Sequence, residues 1–121
     1  MKRILLLLAI ITPLLVFGRS ISNIERNGSW YYLYDENGSK YKSISASSLG
    51  DVKGWCGDFF VVQTDSWTYT YDTEGKRINS TATHAVGEII SVSGGAITTK
   101  RGSWIYTFDK NFKKLSSRAA H

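Results

Sequence analysis

The sequence predicts an all-β chain, an antiparallel meander of three repeats, and three observations carry that expectation. An aromatic phrase recurs at fixed spacing, side chains within it alternate with a period of two, and turn signals separate short strand-forming runs. The phrase reads GSWYYLYDENGSK from Gly28, DSWTYTYDTEGKR from Asp65 and GSWIYTFDKNFKK from Gly102. A shift of 37 residues without gaps superposes Trp30, Trp67 and Trp104; Tyr32, Tyr69 and Tyr106; Tyr34, Tyr71 and Phe108; and Asp35, Asp72 and Asp109. Repeats of this length bury a shared core by stacking one supersecondary unit on the next.

The elements follow in chain order. Lys2 and Arg3 precede an apolar run from Ile4 to Phe17, the length of a signal-peptide core and short for a membrane span. Residues 1–18 are therefore expected to be removed on export to the periplasm or the exterior, leaving residues 19–121 as one β-repeat domain. Membrane contact is expected only if that segment stays uncleaved. An incomplete unit then supplies strands near 21–26, 29–35 and 39–45. Within it Trp30, Tyr32 and Tyr34 fall on one face, and Tyr31 and Leu33 on the other.

The second unit predicts strands at 49–56, 59–64, 66–72 and 76–82. The third predicts 86–93, 96–101, 103–109 and 113–118. The turns DENG and DTEG suit tight hairpins, in which the aspartate accepts backbone N–H groups and the glycine takes positive φ. Gly57-Asp58 and Gly94-Gly95 mark further hairpins. That makes eleven strands, with no amphipathic helix evident after residue 18.

Four strands in about 37 residues resemble a β-propeller blade, and the pattern Trp-x-Tyr-x-aromatic-Asp-x-x-Gly-Lys resembles the hairpin of WG-type repeats over about 13 residues of each unit. The resemblance implies blade-like sheets. Because fewer than four blades cannot close a propeller, the expected forms are a blade stack or a curled barrel, with a β-trefoil-like body as the alternative. Exposed edges are expected to pair, either the segment near Ile21–Ile24 with that near Lys113–Arg118 or between copies of the chain in a homo-oligomer.

Composition narrows the function. Two of the 15 basic residues and none of the ten acidic ones lie in residues 1–18, which leaves a net charge of +3 on the remainder. That mild charge on an exported chain argues against nucleic acid. Cys56 is the single cysteine, so no internal disulfide forms, and it is expected to pack as a small hydrophobe. Cys56 and His84 make the one conceivable thiol–imidazole pair, yet they fall at non-equivalent places in the repeat. No cluster has metal-ligand spacing and no glycine loop suits a phosphate, so no enzyme activity, cofactor or metal is expected. Asp35 in DENGS reads as a turn cap rather than the start of a calcium loop.

A residue repeated in every unit serves what the units share, so the nine aligned aromatics are expected in the core. Binding is expected where the units differ. Trp55 stands where the third unit has Val92, Tyr31 where the others have Thr68 and Ile105, and Lys100-Arg101 where the second unit has Gln63-Thr64. With Lys53 and Asp58 beside Trp55, these six are the candidate ligand-binding residues. The expected function is an exported, non-catalytic β-repeat protein that binds a protein or cell-envelope ligand. The alternatives are a small periplasmic inhibitor or immunity protein against a secreted hydrolase, and a glycan-binding module that stacks aromatic rings on sugars.

Overall fold

The computed structural model describes residues 19–120; the expected signal segment and its cleavage point lie outside them. Among the described residues eleven strands form three antiparallel sheets, and none of these sheets closes into a barrel. The first sheet is β1 (Asn23–Asn27), β2 (Trp30–Tyr34) and β3 (Lys40–Ser45). The second is β4 (Val52–Trp55), β5 (Phe59–Gln63), β6 (Trp67–Asp72) and β7 (Arg77–Ala82). The third is β8 (Glu88–Ser93), β9 (Ala96–Arg101), β10 (Trp104–Phe108) and β11 (Lys114–Ala119). Strands pair in sequence order, so every sheet is a plain meander. The curled barrel and the trefoil are excluded by these open sheets.

The 37-residue period survives in fine detail. Register shifts fall at Leu33/Tyr34, Thr70/Tyr71 and Thr107/Phe108, one place in three units. Asp35 Oδ1 accepts the N–H groups of Asn37 and Ser39, Asp72 Oδ1 those of Glu74 and Lys76, and Asp109 Oδ1 those of Asn111 and Lys113. The repeated aspartate is thus the turn cap that the sequence predicts. At the glycine position of this turn Gly38 and Gly75 have φ of 78° and 82°, and the third unit places Phe112 there at 62°. Phe112 packs on the apolar core, an attraction that opposes the cost of a left-handed backbone for a bulky residue.

Two apolar clusters show how the sheets stack. The first joins Ile24, Tyr31 and Leu33 of the first sheet to Phe60 and Val62 of the second. The second joins Phe59 and Val61 to Ile89, Ile97 and Phe108 of the third. Phe59 and Phe60 point to opposite faces of β5, so the second sheet is the middle layer. That explains why Phe59–Val62 are apolar without alternation, since these four and the polar Gln63 after them are all buried.

The aromatic repeat requires a correction. Trp30, Trp67 and Trp104, expected in the core, are 45%, 48% and 48% exposed. Each opens its strand: Trp30 and Trp104 stand in the last pair of the ladder next to the hairpin tip, and Trp67 lies one residue beyond the last pair, Gln63–Thr68. Tyr69 and Tyr71 do pack on the first cluster, and Tyr106 and Phe108 belong to the second. The aromatic face of a unit therefore covers the unit before it. Tyr31 and Leu33, on the opposite face, are buried against the unit that follows.

Two further departures concern ends and edges. One-turn helices α1 (Ala46–Leu49) and α2 (Thr83–Val86) precede β4 and β8, where strands were expected to begin at residues 49 and 86. Four residues are too few for helical periodicity to register. The first and third sheets do not pair with each other, so β1 and β11 are not joined.

Candidate binding cleft

The helix ends build the cleft. Both helices stop at a glycine of positive φ, Gly50 at 97° and Gly87 at 95°. Gly87 leaves no room for a side chain, since a Cβ there would lie 2.5 Å from the Lys100 carbonyl oxygen. The chain turns sharply at these points, and a cavity of about 720 Å³ opens between the second and third sheets, lined among others by Asp51, Lys53, Asp65, His84, Glu88 and Arg101.

Its floor is polar and internally satisfied. Buried Gln63 donates to the Gly87 carbonyl at 2.8 Å and to the Thr68 hydroxyl at 2.9 Å, and accepts the Ile89 N–H at 3.2 Å. The Thr83 hydroxyl donates to the Thr64 carbonyl at 2.9 Å. These bonds tie β5, α2 and β8 into one frame, so the shape of the cleft does not depend on a ligand. Arg101 is braced, donating to the Ala85 carbonyl at 2.7 Å and to the Tyr106 hydroxyl at 3.1 Å, with its guanidinium 4.9 Å from the Tyr106 ring centre.

The rim differs in character, for Asp51, Lys53, Asp65, His84 and Glu88 are all solvent-exposed. Lys53 is the extra residue at the register shift between Val52 and Gly54, which re-aims it out of the ladder. Asp51 makes only a long ion pair with Arg26, 3.8 Å between two exposed side chains. Three carboxylates and the Lys53 ammonium thus stand around a fixed floor, an arrangement that suits a polar surface carrying both signs of charge.

Two of the six residues expected to bind ligand, Lys53 and Arg101, line this cleft. Trp55 is half-buried against the first apolar cluster. Tyr31 is only 6% exposed, and its hydroxyl accepts the Val52 N–H at 3.2 Å. Asp58 pairs with Lys110 at 2.8 Å. Lys100 sits on the outer side of the third sheet, opposite Ile105 and Glu88. Sequence reasoning missed Asp51, Gln63, Asp65 and Glu88. The signal at Gln63 was present, because Arg26 and Lys100 occupy its place in the other units.

Cys56 and His84 are not brought together. Cys56 follows β4 at the hairpin end, where its sulfur accepts the Gly95 N–H at 3.3 Å, whereas His84 lies on α2 at the opposite end of these strands. The described residues include no cluster of metal-ligating side chains, and no described helix is long and apolar enough to cross a membrane. Comparison with family models, curated proteins and solved structures finds no match to this chain.

Proposed function

We propose that this chain is an exported, non-catalytic binding protein that recognises a protein or cell-envelope ligand through the cleft between its second and third sheets. The observation that supports this reading is the contrast between floor and rim. Gln63, Thr68 and Thr83 satisfy one another, while Asp51, Lys53, Asp65 and Glu88 stand exposed around them. A preformed frame limits the ordering cost of binding, and a rim of both signs favours one orientation of a partner. Export is supported by the basic residues and apolar run at the N-terminus.

Affinity capture from the host envelope fraction tests the assignment. The partner retained by the native protein is expected to be lost with the double charge reversal Lys53→Glu, Glu88→Lys, while the thermal midpoint stays unchanged because both side chains are exposed. Undiminished capture by that variant would overturn the cleft as the site. Intact-mass measurement of the protein from its host tests export, with a chain beginning at or near Arg19 as the expected result.

A further inference from the structure

The two contacts inside the stack meet at one equivalent carbonyl, reached by a different donor in each. The Tyr41 hydroxyl of the first unit donates to the Thr73 carbonyl of the second at 2.7 Å. The Thr70 hydroxyl of the second donates to the Lys110 carbonyl of the third, also at 2.7 Å. Residues 73 and 110 are equivalent under the 37-residue shift, so each unit grips the aspartate turn of the unit after it at the same carbonyl. Asn79 adds a bond to the Asn111 carbonyl at 2.9 Å.

Each end of the stack carries one half of this contact. The first unit has the turn, Asp35–Ser39, built like the others, yet the carbonyls of Glu36 and Asn37 receive no donor among the described residues. Tyr32 and Tyr34 on its outer face have the ring positions of Tyr69 and Tyr71, but only Tyr69 and Tyr71 join an apolar cluster. The third unit has the grip. Thr107 occupies the place of Thr70, and Ser116 that of Asn79. Leu115, equivalent to Tyr41 and Ile78 that pack on the apolar clusters, is 54% exposed.

We propose that a second copy of this chain docks its first sheet on the outer face of the third sheet, head to tail, repeating the contact between the second and third sheets. In that arrangement Thr107 donates to the Glu36 carbonyl of the second copy, and Ile105 and Leu115 cover Tyr32 and Tyr34. Charge favours this partner. Glu25 stands directly across from Tyr32, at a position where the other units bury Val62 and Thr99. A carboxylate covered there needs a cation. Lys100 and Arg118 both stand across from Ile105 on the face that would cover it. First sheet against first sheet would instead cover two Glu25 carboxylates with neither Lys100 nor Arg118 in the contact.

A contact between unlike faces closes a ring or extends a chain. Two copies bring the number of units to six, within the four to eight blades of closed propellers.

Light scattering on the protein purified from its host, up to sub-millimolar concentration, is the test. The native protein is expected at twice the chain mass or more. Tyr34→Lys blocks one face and Leu115→Asp the other, so each variant alone is expected to be a monomer, and their mixture a one-to-one dimer that grows no further. Circular dichroism confirms folding of each variant, and Tyr32→Lys and Ile105→Lys replace any that fails. A monomeric native protein, as expected if residues 1–18 or a different protein cover the first sheet, would overturn the proposal. So would a Leu115→Asp variant that still associates, or two blocked variants that do not combine.

Discussion

The Gln63 side chain donates to the Gly87 carbonyl at 2.8 Å while accepting the Ile89 N–H at 3.2 Å, so one buried amide closes the gap between β5 and β8. Gln63→Leu keeps much of the volume but orphans both backbone groups. Because a buried group left without its partner costs about 1–3 kcal/mol, the variant is expected to lose about 2–3 kcal/mol. Urea unfolding measures this as a lower midpoint with an unchanged slope. An unchanged midpoint would mean that water replaces the amide and that the floor of the cleft is not the frame argued above.

The tryptophans and the core are expected to divide according to exposure. Trp67→Ala removes a half-exposed ring and is expected to cost about 1 kcal/mol, near the centre of the range for point changes. Leu33→Ala empties a fully buried position between two sheets and is expected to cost about 2–5 kcal/mol. Trp55→Ala lies between them, since that ring packs on the first cluster. Thermal melts of the three variants establish the order, and a Trp67→Ala loss equal to that of Leu33→Ala would restore the tryptophan to the core.

Two glycines of similar φ separate backbone strain from collision. Gly38 has nothing within 4 Å of an added Cβ, so Gly38→Ala is charged only for its left-handed conformation, about 1 kcal/mol. Gly87→Ala adds a Cβ 2.5 Å from the Lys100 carbonyl oxygen, against a strand that cannot withdraw without breaking its ladder. Its expected cost is on the order of 3 kcal/mol or more, the range of overpacking changes, and chemical denaturation of the pair would reveal the difference.

Tyr41 makes stability depend on alkaline pH. Burial against the second sheet, reinforced by the Glu74 carboxylate and opposed by Arg19, pushes its phenol up to about 12. The folded protein thus favours the neutral form more than the unfolded chain does, whose tyrosines titrate near about 10. That contribution is complete below about pH 10 and is lost as pH rises toward about 12. Burial raises Tyr71 in the same direction. Thermal midpoints measured across this window are expected to fall less steeply for Tyr41→Phe than for the native protein, though Tyr41→Phe starts lower because it lacks the bond to Thr73. Parallel curves would remove Tyr41 from this account.

The number of strands, their order, the hairpin turns and the unit length were legible from the residues alone, because these rest on local chemistry. Alternation at Trp30–Tyr34, a capping aspartate at 35, 72 and 109, and glycines at turns act within a few residues of one another. Which face of each strand became core was decided only by the stack. Tyr31 is buried and Trp30 exposed, although both are large aromatics side by side, because the second sheet covers the face that carries Tyr31 and no sheet among the described residues covers the other. The cleft was likewise beyond local reading. Lys53 and Arg101 stand 48 residues apart in the chain and meet there only because Gly50 and Gly87 turn two equivalent helix ends toward the same gap. A period in sequence states that units are alike, whereas burial depends on which neighbour each unit has, and that neighbour is set by packing between sheets.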